Sequence, residues 1–257
     1  ARDPLGLYNL YRLVSISSTR YFHGRPRLPR SVLSYFRTGL LVGSACERGE
    51  VFQAILRLYR ESGNDLDTAR NHLSDRSVRH MARFYDYLEI MPIGNNAFLL
   101  RDPDSGLGSE EDLRNLNRLV LALGAQLRIP VCATGDVHFL DRKDAVYREI
   151  LQTDMNYADA SCQPDLSYRT TEEMLNEFAY LGRLKAEEVV LRNPLEIAGR
   201  IVPNLRPIPE GIFPPVIAEA PRQVEALTRS QAERMYAFRG VLPDLVATRI
   251  DRELTAI

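Results

Sequence analysis

Three short apolar runs, at residues 40–45, 87–91 and 129–134, constrain this chain more than any other feature, because helical periodicity fills the gaps between them. Runs of that length bounded by turns and spaced by helices read as a βαβαβ unit built on a buried parallel sheet, and hence as α/β. The helix between the last two runs is the best signalled. Ser109 and Asp112 form a capping-box-like start, after which Leu113, Leu116, Val120, Leu123 and Leu127 keep one face apolar. A further helix is expected from Asp141, with Val146, Tyr147, Ile150 and Leu151 on its inner side. Others are expected near 171–180, 183–191 and 194–201, with Asn193 ahead of Pro194 as a helix start. Residues 61–75 are polar and read as an exposed insertion between helices.

Six prolines, Pro203, Pro207, Pro209, Pro214, Pro215 and Pro221, fall between Val202 and Pro221, a density that excludes regular helix or central strand. This stretch reads as a linker, which divides the chain into 1–202, 203–221 and 222–257. The last part carries two amphipathic helices that cannot make a core of their own and are expected to begin another domain. The 45% apolar content suffices for an ordinary core, and no run approaches the roughly 18 apolar residues a membrane span requires. With no charged-then-apolar leader either, the expectation is a soluble, cytoplasmic protein without a membrane partner. Cys46, Cys132 and Cys162 contain no CxxC, so neither a disulfide framework nor a four-thiolate zinc site is supported. A net charge of -1 gives no polyanion signal.

The third apolar run leads straight into Asp136 and His138. In an extended chain that spacing puts both side chains on one face, where they can converge on one ion at the carboxyl-end rim of a sheet. A solvated turn after a core strand is the plainer alternative. Cys46 sits where the first run opens through Gly43 toward a helix; it could bind a metal, with the helix N-terminus expected to lower its pKa, or be a small buried hydrophobe. Glu50 reads as a first-turn acid favoured by the helix dipole. Cys132 lies four residues before Asp136, about 13 Å along a strand, and so belongs in the core rather than at the rim. Cys162 carries no signal, and His72 and His80 read as surface residues. The loop at 19–30 mixes Arg20, Arg25, Arg27 and Arg30 with Tyr21, Phe22 and His23. That mixture suits a phosphate or single-stranded nucleic-acid contact, and equally an arginine-rich loop packed against acidic helix ends. No Walker loop, GxSxG or HExxH motif is present.

Taken in order, LYNLYRLVS (7–15), RPRLPRSVL (25–33), GLLVGSACERGEVFQA (39–54), YDYLEI (85–90), IPVCATGDVHFLDRKDAVYREIL (129–151) and YRTTEEML (168–175) closely resemble the bacterial replicative DNA polymerase III alpha subunit of the PolC type. The stretch resembles its PHP (polymerase and histidinol phosphatase) domain. The likeness covers nearly the whole chain, and GSAC-x-x-GE together with ATGDVHF is its most specific part.

The resemblance implies part of a PHP-type (β/α)7-like barrel, followed by helices that begin the polymerase palm region, with RIDREL (249–254) leading into it. It implies that Cys46, Asp136 and His138 are metal ligands at the strand carboxyl ends, with Zn, Mn or Mg in the intact PHP site and Mg in the parent polymerase site. Glu50 has no such match. The family's His-x-His motif and inserted 3'-5' exonuclease are expected upstream of Ala1, and the palm's glycine-serine motif and carboxylates beyond residue 257. DNA, deoxynucleoside triphosphates, a sliding clamp and other replisome subunits are the implied partners of the parent chain. The segment alone is expected to be inactive. A stand-alone metal-dependent PHP phosphoesterase and a non-catalytic structural barrel are the alternative readings.

Overall fold

A computed structural model describes residues 1–157, 160–208 and 210–256. The chain divides into two compact units, the first running from Ala1 to Pro207 and the second from Ile208 onward, so the division falls inside the proline-rich stretch.

The first unit opens with α1 (Pro4–Thr19), α2 (Arg30–Tyr35), α3 (Glu50–Glu61), α4 (Leu66–His72) and α5 (Arg76–Ala82). There follow β1 (Leu88–Ile90), α6 (Ile93–Asn96), α7 (Glu110–Leu127), β2 (Val131–Ala133), α8 (Ala145–Asp154), α9 (Thr171–Glu177), α10 (Arg183–Glu187) and α11 (Asn193–Gly199). β1 and β2 pair in parallel with Leu88 opposite Val131 and Ile90 opposite Ala133, the chain crossing between them through α7. The fold is thus α/β with a small parallel sheet, as the alternation of runs implied. The first run, 40–45, is not a regular strand. It contributes one parallel bridge, Gly43 to Tyr87, because side chains take over the remaining amide partners. The Val42 amide donates to Asp86 Oδ2 (2.7 Å) and the Glu89 amide to Ser44 Oγ (2.9 Å).

The core forms where α3, α7 and the two strands meet: Val51, Ile55 and Tyr59 from α3, Leu113, Leu116, Leu119, Val120 and Leu123 from α7, and Leu88, Ile90 and Val131 between them. The α7 capping box is present as expected, Ser109 and Asp112 each satisfying the other's backbone. Asp112 also accepts from the Tyr59 hydroxyl at 2.9 Å, so the cap of α7 is tied to α3. Inside the core, Asn117 on α7 donates to the Met91 carbonyl at 3.0 Å, satisfying a backbone group at the end of β1 that no strand reaches.

Two expectations need correction, the first only in part. Residues 61–75 are exposed at most positions, as expected, but they hold α4, whose Ala69 is fully buried, as is Leu73 just after it. The polar residues form its outer face and its N-cap, where Asp65 accepts from the Thr68 amide at 2.8 Å. Val146, Tyr147, Ile150 and Leu151 on α8 are exposed, because none of the described residues of this unit covers the apolar stripe that their spacing makes. Asn193 does begin α11 as expected, although the chain is already helical before it. A π-helical turn at Glu188–Arg192 runs directly into α11, and the wider turn accommodates the missing Pro194 N–H, while Asn193 Nδ2 donates to the Val131 carbonyl at 2.8 Å.

In the second unit α12 (Ala220–Tyr236) and α13 (Asp244–Ala256) appear close to the expected bounds. Pro221 sits inside the first turn of α12, where its missing N–H costs nothing. The buried residues of the two helices are Ala232 and Ile250, which fits a pair unable to build its own core. No helix among the described residues is long and apolar enough to cross a membrane.

Gly124 is where α7 lies closest to β2. A β-carbon there would meet Val131 Cγ2 at 2.5 Å and the Ile129 carbonyl oxygen at 2.9 Å. Helix propensity favours Gly124→Ala by about 1 kcal/mol, whereas forcing a methyl into a packed seam costs ~1–3 kcal/mol. Because one of the blocking atoms is backbone, the second effect should win, and urea unfolding should show Gly124→Ala to be the less stable protein. Alkali is the second probe of this core. Burial pushes the Cys132 thiol from 9.0 up to about 12, and the Tyr59 hydroxyl from 10.0 to about 12. The folded chain keeps protons that the unfolded chain releases, so stability present below pH 9 should fall as pH rises toward 12. Unfolding midpoints measured between pH 7 and 11 should show this fall, and Cys132→Ala, with no proton to lose, should make it shallower.

Candidate functional site

Parallel strands point their carboxyl ends the same way, and the loops that leave those ends gather into one rim. Here the rim is made by 44–49 after the Gly43 bridge, by 91–96 after β1 and by 134–139 after β2. Cys46 is in the first loop, and Asp136 and His138 are in the last.

The loop after β2 is pinned from several sides. The Thr134 amide donates to the Ile90 carbonyl at 2.9 Å, which extends the β1–β2 pairing by one bond. Asn95 Nδ2 donates to the Gly135 carbonyl at 2.7 Å, and the His138 amide donates to the Leu166 carbonyl at 2.9 Å. Asn95 is itself buried and faces Arg169 Nη1, whose guanidinium also pairs with Asp165 and Glu177 at 3.1 and 3.2 Å. Between these pins Asp136 takes a left-handed backbone, φ +46°.

That conformation overturns the geometric argument for the Asp-x-His pair. Regular pairing ends at Ala133, so Asp136 and His138 do not alternate on one strand face. A turn brings them together instead: His138 Nδ1 is 4.0 Å from Asp136 Oδ1 and 2.8 Å from the Asp136 backbone carbonyl. A carbonyl can only accept, so in the neutral ring Nδ1 carries the proton and Nε2 keeps its lone pair. This is the arrangement in which metal-binding histidines are held.

Cys46 is half-buried, and Asp136 lies near enough that its charge is felt at the thiol. The expectation of a lowered pKa was wrong in sign. Burial pushes the thiol up, and the hydrogen bond and charge of Glu47 add to it, while the Arg48 amide opposes. Cys46 lies beside the start of α3, its carbonyl accepting from the amide of the N-cap Gly49 at 2.9 Å, but that nearness does not offset burial. Thiol, carboxylate and imidazole are a donor set suited to zinc and related cations, and in that respect the three residues fit a metal. Among the described residues no group of three His, Cys, Asp or Glu is close enough to hold an ion unaided.

Glu50 serves the fold, accepting from Arg30 Nη1 at 3.0 Å and from the Tyr85 hydroxyl at 2.9 Å. Arg30 stacks on the Phe84 ring at 4.2 Å as well. Of the four arginines singled out in the sequence, Arg30 is therefore engaged in packing, and Arg20, Arg25 and Arg27 stand exposed, Arg20 and Arg27 beside Tyr21, Phe22 and His23 along a shallow groove of about 480 Å³. Cys132 is in the core, as its distance along the strand required, and His72 and His80 are on the surface.

The sequence reading missed two residues. Asn95, on α6 just after β1, fixes the Gly135 carbonyl; an asparagine within MPIGNNAF gives no local sign of such a role. Glu89 lies on β1 opposite Cys132, a carboxylate inside a buried strand, which is itself an anomaly that a stricter reading of YDYLEI would have flagged.

No family model matches the chain. Comparison with individual proteins is more informative. The chain is 41% identical over 257 residues to the DNA polymerase III PolC-type of Clostridium perfringens, 46% over 256 residues to that of Caldanaerobacter subterraneus and 36% over 260 residues to that of Bacillus subtilis. Each alignment takes in the whole of this chain but only 16–17% of the relative. Along its entire length, then, the chain is similar to one segment of the PolC-type DNA polymerase III, the family its motifs resemble.

Proposed function

We propose that the whole protein is a replicative DNA-directed DNA polymerase, extending DNA by nucleotidyl transfer, and that this segment supports the polymerase core rather than carrying its chemistry. The observation behind this is the end-to-end similarity to PolC-type DNA polymerase III at 36–46% identity. On this reading 1–202 are the carboxyl-terminal part of a PHP barrel, 203–221 a connection, and 222–257 the first helices toward the palm. DNA, deoxynucleoside triphosphates, Mg, a 3'-5' exonuclease and contacts to the sliding clamp and other replisome subunits belong to the parent chain.

Cys46, Asp136 and His138 are proposed to share a divalent-metal site with further ligands from that parent chain. Two features support this: the donor chemistry, and the His138 ring held through Nδ1 so that Nε2 is available. A cation bound there would supply charge to hold the two loops together or to polarise a phosphate oxygen. Arg20, Arg25 and Arg27, all exposed and the first and last of them beside aromatics, are proposed to meet nucleic-acid phosphates.

The test uses the full-length protein. It should extend a primed template with deoxynucleoside triphosphates and Mg, and failure to do so overturns the polymerase reading. Cys46→Ser and His138→Ala should weaken metal binding by at least about 100-fold, since even outer-shell changes cost ~10–100-fold. Metal per chain after dialysis reads this out, and unchanged content in both variants removes them as ligands. The 257-residue segment alone should neither extend primers nor hydrolyse phosphate esters; ester hydrolysis by the segment would instead point to a phosphoesterase.

A further inference from the structure

We propose that Glu89 is a positioning residue for Cys46: it holds the loop that presents the thiol by clamping the backbone at Ser44 and Ala45. The inference rests on the metal-site reading above. Glu89 Oε1 accepts from the Ala45 amide at 3.0 Å, and the Glu89 amide donates to Ser44 Oγ at 2.9 Å. One residue of β1 thus grips two successive residues of the loop, and the next residue is Cys46.

The grip is needed because Ala45 has φ +62°, a left-handed conformation that a residue with a β-carbon adopts only when its surroundings dictate it. Released from Glu89, Ala45 would relax toward extended backbone, and the thiol would swing away from the loop that carries Asp136. The space for the carboxylate is also specified in the sequence. A β-carbon at position 43 would stand 2.4 Å from Glu89 Oε1 and 2.5 Å from the Tyr87 ring, so only Gly43 lets the carboxylate reach the Ala45 amide. The bonds Glu89 makes to this loop are to its backbone at Ala45 and to the Ser44 hydroxyl, which is a positioning role.

Full-length protein loaded with Co²⁺ gives a direct readout, since a thiolate bound to cobalt produces a near-ultraviolet charge-transfer band that depends on the Cys46–metal bond. Glu89→Ala should lose most of the band and bind Co²⁺ roughly 10–100-fold more weakly, the range typical of residues that orient a ligand. Glu89→Gln, which keeps the accepting oxygen, should retain the band. Ala45→Gly, placed in the Glu89→Ala background, should restore part of it by removing the β-carbon penalty at φ +62°. Circular dichroism establishes that each variant is folded; should Glu89→Ala not fold, the Glu89→Gln band decides. A folded Glu89→Gln without the band overturns the positioning role, because charge or direct ligation would then be what matters. So does a Glu89→Ala band equal to that of the unaltered protein, where Cys46→Ser abolishes it. No band in the unaltered protein overturns the metal reading, and the positioning role with it.

Discussion

The parallel pairing of Leu88–Ile90 with Val131–Ala133 is the contact on which the rest of the first unit depends. Six residues in two strands make a very small sheet, and a pair so short is not stable in water by itself. It persists because helices bury it. Leu116, Leu119, Val120 and Leu123 of α7 lie over it, and α3 closes the same core through Ile55 and Tyr59. The backbone groups that the sheet leaves over are taken up by asparagines, two of them buried: Asn117 meets the Met91 carbonyl and Asn95 the Gly135 carbonyl, while the half-buried Asn193 meets the Val131 carbonyl. Each joins a helix or turn to the end or edge of a strand, so the sheet and its loops are fixed together.

On the other edge of β1, carboxylates do what a third strand would do. Asp86 receives the Val42 amide and Glu89 the Ala45 amide, while Arg37 neutralises Asp86 at 2.9 Å. A full ladder would carry the chain straight past the rim. With only the Gly43 bridge and these side-chain bonds, the segment can bend at Ala45 and bring Cys46 round toward the loop after β2. The irregularity of 40–45 thus follows from these side-chain bonds and from the left-handed Ala45.

What could be read in the sequence is what local rules decide. The α7 cap, its buried stripe and the two strand centres all follow from spacing and short-range hydrogen bonds, and so do the bounds of α12 and α13. The departures each depend on something distant in the chain. Polar composition hid α4, whose burial rests on only two residues, Ala69 and Leu73. The stripe on α8 was correctly seen as apolar, but its covering cannot be inferred from its own residues. For Asp136 and His138 the residue types were legible and the geometry was not, because the turn is held by Asn95 and Leu166, which lie 40 residues before Gly135 and well after His138. The Cys46 thiol was misjudged because its burial, which depends on distant parts of the chain, outweighs the nearby helix start.

Ala45 and Asp136 are both non-glycine residues in the left-handed region, the first adjoining a proposed metal ligand and the second itself proposed as one. Such conformations survive only where several contacts outweigh their cost, and they concentrate where a protein must aim a side chain in a direction that regular structure does not offer. The two loops meet that condition by different means. Ala45 is held from β1 by a carboxylate, whereas Asp136 is held by neighbours on both sides: Asn95 on the Gly135 carbonyl, His138 Nδ1 on its own carbonyl and Leu166 on the His138 amide. The second arrangement settles the imidazole tautomer with the same bond that fixes the turn, which couples the direction of Nε2 to the backbone of the residue whose carboxylate lies beside it. A sheet of two short strands could not dictate either direction by alternation. Its contribution is to set the two turns at neighbouring strand ends, and the side-chain bonds then bend each turn toward the other.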